Sequence, residues 1–121
     1  MRRYRVKVRA ICGPTESESK VKKAILNILS LEREPQFQVH RLTGIFGEPL
    51  TILETGVSED EAERAARHLI ESLSRDYISE RVESSGSVET IHLRLNKQLA
   101  YLGIIQPSEA DAIKVEIISQ G

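Results

Sequence analysis

The residues best suited to bind something in this chain are cations repeated with a period of two. From Arg3 to Ala10 the sequence runs Arg-Tyr-Arg-Val-Lys-Val-Arg-Ala, and five of the first nine residues are basic. Side chains of a β-strand point alternately to its two faces. Tyr4, Val6, Val8 and Ala10 are therefore expected to face a core, and Arg3, Arg5, Lys7 and Arg9 the other side. Four neighbouring cations on one face repel one another. Solvent and salt, carboxylates on adjacent strands or a polyanionic ligand must compensate.

Other chemistry is sparse. His40, His68 and His92 lack the spacing of metal ligands, and structural zinc wants four clustered ligands, so no metal is expected. Cys12 is the single cysteine; it can form no internal disulfide and is expected to be an inert, partly buried thiol. Glu59, Asp60, Glu61 and Glu63 crowd a helix start, where the helix dipole favours acids without any catalytic role. Gly44 and Gly47 are spaced as in an ordinary turn, not a phosphate-cradling loop. The serines sit in caps and loops, outside any strained nucleophile turn. This inventory predicts no catalytic residue, no cofactor and no enzyme.

At 121 residues, with 40% hydrophobic and 29% charged residues, the chain reads as a single soluble α+β domain spanning 1–121. No apolar run is long enough for a transmembrane helix, and the charged N-terminus is unlike a secretory signal, so a cytoplasmic protein is expected. The net charge of −1 conceals an asymmetry. Residues 1–43 carry ten Lys or Arg against four Glu, and residues 44–121 carry seven against fourteen acids. Either the surface is dipolar with a basic partner site, or the halves neutralise each other across the fold.

The elements that must position the cations follow from periodicity and punctuation. Gly13-Pro14-Thr15 ends the first strand, and Thr15 with Glu18 has capping-box spacing for a helix buried through Val21, Ala24, Ile25, Ile28 and Leu29. That helix is expected to end between Glu32 and Gln36. Phe37–Thr43 and Leu50–Thr55 read as a hairpin around a turn at Gly44–Pro49, closed by Gly56. Ser58 and Glu61 repeat the capping spacing before the longest helix. Its apolar face is Ala62, Ala65, Ala66, Leu69, Ile70 and Leu73, and it continues or restarts through Tyr77, Ile78 and Val82. Ser84-Ser85-Gly86-Ser87 reads as a loop, Thr90–Leu95 as a strand, Asn96 as the cap of a short helical turn ended by Gly103, and Ala112–Ile118 as the last strand. The order β-α-β-β-α-β-(short α)-β, with alternating strands, predicts a two-layer sandwich with a mainly antiparallel sheet and one solvated sheet face.

That face would collect Arg3, Arg5, Lys7, Arg9, Gln38, His40, His92, Arg94 and Lys114, with Glu116 as counter-charge. A basic open sheet can track a phosphate backbone. Readers of single-stranded RNA usually stack bases on aromatic side chains, and here there are no Trp, two Phe and three Tyr, with Tyr4 and Phe37 expected in the core. Contacts to phosphates and duplex shape are favoured over base readout on the sheet.

The stretch Ile91-His92-Leu93-Arg94-Leu95-Asn96-Lys97-Gln98-Leu99-Ala100-Tyr101-Leu102-Gly103 resembles the signature of an archaeal protein family grouped by structure with large-subunit ribosomal protein five. In that family a strand leads into an Asn/His-Lys-Gln-Ala-Ala segment, a Gly and a final strand containing Ile-Lys. Asn96-Lys97-Gln98, Ala100, Gly103 and Ile113-Lys114 match, as do Pro14-Thr15-Glu16, Lys20-Val21, Ala24-Ile25 and Asn27 near the start. Arg75-Asp76-Tyr77-Ile78-Ser79-Glu80-Arg81 stands in place of the family's Arg-rich segment with Ile-Leu-Asp, and the chain stops at Gly121 without the family's tail. The resemblance implies RNA binding by fold analogy. Asn96-Lys97-Gln98 has a structural reading as well, in which Asn caps the turn, the Lys stem packs over the sheet edge and Gln bonds a loop. The leading expectation is structured RNA held at phosphates by Arg3, Arg5, Lys7, Arg9, Arg94 and Lys97. The rivals are a homodimeric interaction module and a small-ligand regulatory domain.

Overall fold

The computed structural model describes residues 2–121, among which there are six strands and four helices. The basic segment forms β1 (Arg3–Cys12), at the centre of the sheet. Its partners are β3 (Pro49–Ser58) on one side and β6 (Ala112–Gln120) on the other. Outside these lie β2 (Gln38–Thr43), then β5 (Val88–Asn96) and β4 (Val82–Ser85), giving the order β2-β3-β1-β6-β5-β4. Every pairing is antiparallel. The helices α1 (Glu18–Leu29) and α2 (Glu59–Ser72) cover one face; α3 (Arg75–Ser79) and α4 (Lys97–Tyr101) are single turns. This is the expected α+β two-layer arrangement. No helix among the described residues is long and apolar enough to cross a membrane.

The core is made where the two periodicities meet. Val6, Val8 and Ala10 of β1 join Leu53, Leu93, Leu95, Ile113, Val115 and Ile117 from neighbouring strands. Against them lie Val21, Ala24, Ile25, Ile28 and Leu29 of α1, and Ala62, Ala65, Ala66 and Leu69 of α2. The run of alanines lets the first turns of α2 approach β1 closely, because a methyl group is all that separates helix from sheet. Val8 is 2% exposed at the middle of this layer. Val8→Ala should cost about 1 to 3 kcal/mol by losing buried methyls and leaving a cavity. Denaturant melting should show the midpoint falling with an unchanged slope.

Several boundaries differ from expectation. The cap of α1 is Ser17, not Thr15: its Oγ accepts from Lys20 N at 3.3 Å. Glu16 and Glu18 are thereby released for ion pairs. The helix ends at Leu29 rather than near Pro35, because Ser30 takes a left-handed conformation (φ 55°) and Leu31 N–H donates back to the Leu26 carbonyl at 3.2 Å. Ser58 does cap α2 by backbone conformation, without a side-chain bond. Strand β3 runs on through Gly56, which lies opposite Lys7. A Cβ there would stand 2.9 Å from the Val6 carbonyl oxygen, so glycine permits the strands to close rather than ending one. Ser84 and Ser85 belong to β4, and only Gly86-Ser87 turns; the short edge strand had no apolar alternation to announce it.

Candidate nucleic-acid interface

The candidate site is the sheet face that no helix covers. Arg3, Arg5, Lys7 and Arg9 are all exposed on it, while Val6 and Val8 are buried behind them. Alternate residues of a strand are about 6.6 Å apart, so the four cations form a ladder roughly 20 Å long down the middle of the face. The register crosses this ladder with a second line. Arg9 stands opposite Lys114 of β6, and Lys114 opposite Arg94 of β5. Three cations on three adjacent strands thus face one another at cross-strand distance, where like charges are destabilising.

Carboxylates relieve only part of this charge. Arg9 Nε lies 3.4 Å from Glu54 Oε1, and the same carboxylate approaches His40 Nε2 at 3.6 Å. Glu116 is opposite Lys7 in register but reaches His92 Nδ1, at 3.9 Å, and Glu83 holds the other nitrogen of that ring at 3.1 Å. Among the described residues Arg3, Arg5, Lys7 and Lys114 make no ion pair within 4.0 Å. Arg94 is the least free of the set: it is half-buried, and its Nη2 donates to the Glu109 carbonyl at 3.3 Å. An open depression of about 650 Å³ sits over the ladder, lined by Lys7, Arg9, Lys114, Gln36, Gln38, Glu54 and Glu116. Gly56 forms part of its lining, where the missing side chain leaves room beside Lys7. Cations, amides and a hollow of this size suit phosphate and sugar contacts.

Lys97 is not part of this face, contrary to expectation. Its side chain is 5% exposed at the start of α4, on the inner side of the sheet end. Nζ donates to the Ile11 carbonyl at 2.5 Å, to Glu16 Oε1 at 3.0 Å and to Asp111 Oδ1 at 2.9 Å. Burial alone pushes the ammonium pKa down, but the bonds from Asp111 and Glu16 outweigh it and hold the group above its ordinary value. An ammonium with its protons so committed clamps the end of β1 to the loops before α1 and β6. The signature segment is structural here: Asn96 Oδ1 caps α4 by accepting from Leu99 N at 2.9 Å, while Gln98 is exposed.

The remaining titratable groups serve the scaffold. Arg41 pairs with Glu18 at 2.7 Å, tying β2 to α1, and this bond holds the Glu18 carboxyl below its usual range. Burial, followed by the nearby Glu16 and Glu18 charges, pushes the Cys12 thiol up, which suppresses thiolate chemistry. Among the described residues no three His, Cys, Asp or Glu side chains are grouped to hold a metal.

Four of the five aromatic rings are engaged with the body of the protein. Tyr4 packs on the core, Phe37 lies under Lys22 Nζ (5.3 Å), Tyr77 under Arg81 (4.9 Å), and Tyr101 under Lys20 Nζ (5.7 Å). Phe46 is different, standing 91% exposed beside a 93% exposed Ile45 at the tip of the β2–β3 hairpin. Two consecutive large apolar residues inside a glycine-bounded turn were the signal in the sequence; the turn punctuation around them concealed it.

The fold and site together define an open antiparallel α+β sandwich with a ladder of cations on its uncovered sheet face. A family model described as RNA binding matches residues 5–118, and the chain belongs to that family. It is 28% identical to RNA-binding protein PAB1135 of Pyrococcus abyssi, across 94% of this chain and 80% of the relative. Among solved structures it is similar to a DUF54 protein of Archaeoglobus fulgidus, with 26% identity, a TM-score of 0.73 and coverage of 93% of this chain and 84% of that one. It is equally similar to a DUF54 protein of Methanothermobacter thermautotrophicus, with 27% identity, a TM-score of 0.73, and coverage of 93% and 82%. These relatives are archaeal, and the Pyrococcus abyssi protein is named for RNA binding.

Proposed function

We propose that this chain acts in the cytoplasm as a non-catalytic binder of structured RNA, with Arg3, Arg5, Lys7, Arg9 and Arg94 contacting phosphates and Lys114 joining them. The observation that carries the proposal is the aligned row Arg9–Lys114–Arg94 crossing the ladder of β1. Like charges set directly opposite one another cost stability, and a phosphate backbone is the partner that repays it. The face offers no aromatic platform for bases, so duplex shape and backbone are what it can grip. Membership of an RNA-binding family supports the same reading. Crosslinking in native cells, with recovery of the bound sequences, tests it: structured RNAs should be recovered, and their yield should fall with rising salt. Protein purifying without nucleic acid, as a homodimer whose cations are covered by a second copy, would replace RNA with self-association.

A further inference from the structure

We infer that the tip of the β2–β3 hairpin is a base-contacting finger, on which Phe46 stacks against an unpaired nucleobase of the RNA whose backbone lies along β1. This rests on the open-face reading and narrows it to RNA in which a paired stem adjoins a loop or bulge. Among the described residues Phe46 is the one aromatic ring without a protein neighbour to occupy it, and rings presented in this way stack on bases of any identity.

The tip is built to hold that ring outward. Gly44 N–H donates to the Glu48 carbonyl at 2.7 Å, and Gly47 N–H to the Gly44 carbonyl at 3.0 Å. Glu48 Oε2 accepts from Phe46 N–H at 2.9 Å, fixing the backbone beneath the ring. The Glu48 side chain folds over Gly44, where a Cβ would meet its Oε1 at 2.0 Å. Gly47, at φ 78°, completes the reversal.

The hairpin also points the right way. Glu54 pairs with Arg9 across β3 and β1, and Glu54 lies five residue steps along β3 from Pro49 at the turn. At strand rise this is about 17 Å, so an RNA following the ladder from Arg3 to Arg9 meets the tip within roughly one further ladder length. Ile11 and Leu42, both about half exposed and on the same sheet face, lie between and can take the apolar faces of ribose or base. A protein partner fits less well. Two residues on a turn with two behind them fall far short of the roughly 20–30 residues a side of a stable interface.

The test compares two RNAs, a stem closed by a loop carrying a fluorescent adenine analogue and the same stem as a blunt duplex. The parent should prefer the stem-loop and quench the analogue. Phe46→Ala should lose about 5- to 150-fold in stem-loop affinity, the factor that one stacked base supplies. Duplex affinity and salt slope should stay unchanged, and Phe46→Trp should restore both affinity and quenching. The side chain is exposed, so folding is not at risk. If Phe46→Ala binds and quenches as the parent does, the finger is wrong while the open-face reading stands. Conversion of a dimer to a monomer by Phe46→Ala would assign the tip to a protein contact and overturn the inference. A parent that binds neither RNA removes the open-face reading and the finger with it.

Discussion

Replacing Arg3, Arg5, Lys7 and Arg9 together by Gln should flatten the salt dependence of RNA binding. Each cation that neutralises a phosphate releases counterion, and four contacts account for a slope change of about 3 in log affinity against log salt. Between about 50 and 200 mM salt the parent should therefore lose roughly 50-fold more affinity than the variant. The four side chains are exposed, and only Arg9 among them pairs with a carboxylate, so the variant should fold; circular dichroism checks this first. Single substitutions should weaken binding evenly across duplex sequences, because the ladder grips backbone. A folded fourfold variant with the parent's affinity and slope would exclude β1 from the interface.

The second large effect concerns the clamp. Lys97→Met keeps the volume of the side chain but leaves the Ile11 carbonyl and Glu16 without their shared donor. Breaking a fully buried pair costs about 3 to 5 kcal/mol. Here about 2 to 3 kcal/mol is expected, because Glu16 and Asp111 are 32% and 70% exposed and recover water. Equilibrium unfolding of both proteins across pH measures it. The Lys97 pKa is raised in the folded protein, so its stabilisation is complete below the ordinary lysine value and fades as pH climbs through the raised one. The gap between parent and variant should be constant around neutral pH and narrow in strongly alkaline solution. Equal stabilities at neutral pH would show that Lys97 holds nothing together.

The part of the fold legible in the sequence was the part written as periodicity. Alternation in β1 and β5 fixed which residues face inward, and helical spacing fixed the buried stripes of α1 and α2. Register was illegible, since nothing local says that Arg9, Lys114 and Arg94 share a row. Lys97 misled because a lysine within a recognisable motif looks like a ligand contact. Its true partners, Glu16 and Asp111, lie 81 and 14 residues away in sequence and meet it only in the folded chain. The cap of α1 shifted because Thr15, Ser17 and Ser19 all stand near the helix start, and the ion pairs of Glu16 and Glu18 decided among them.

The position of β1 also governs how the protein can come together. The first strand made is the central one, and one of its two neighbours is β6, the last strand of the fold. Arg3 pairs with Gln120 across almost the whole sequence. During synthesis β1 can associate with β3 while its other edge stays unpaired, exposing backbone donors and acceptors until the distal segment arrives. Contacts of such long range pay their loop-closure entropy late and slow folding. The ladder of charge beside that waiting edge then has a second effect: like-charged strands from two nascent chains repel, which discourages them from zipping together before β6 is made.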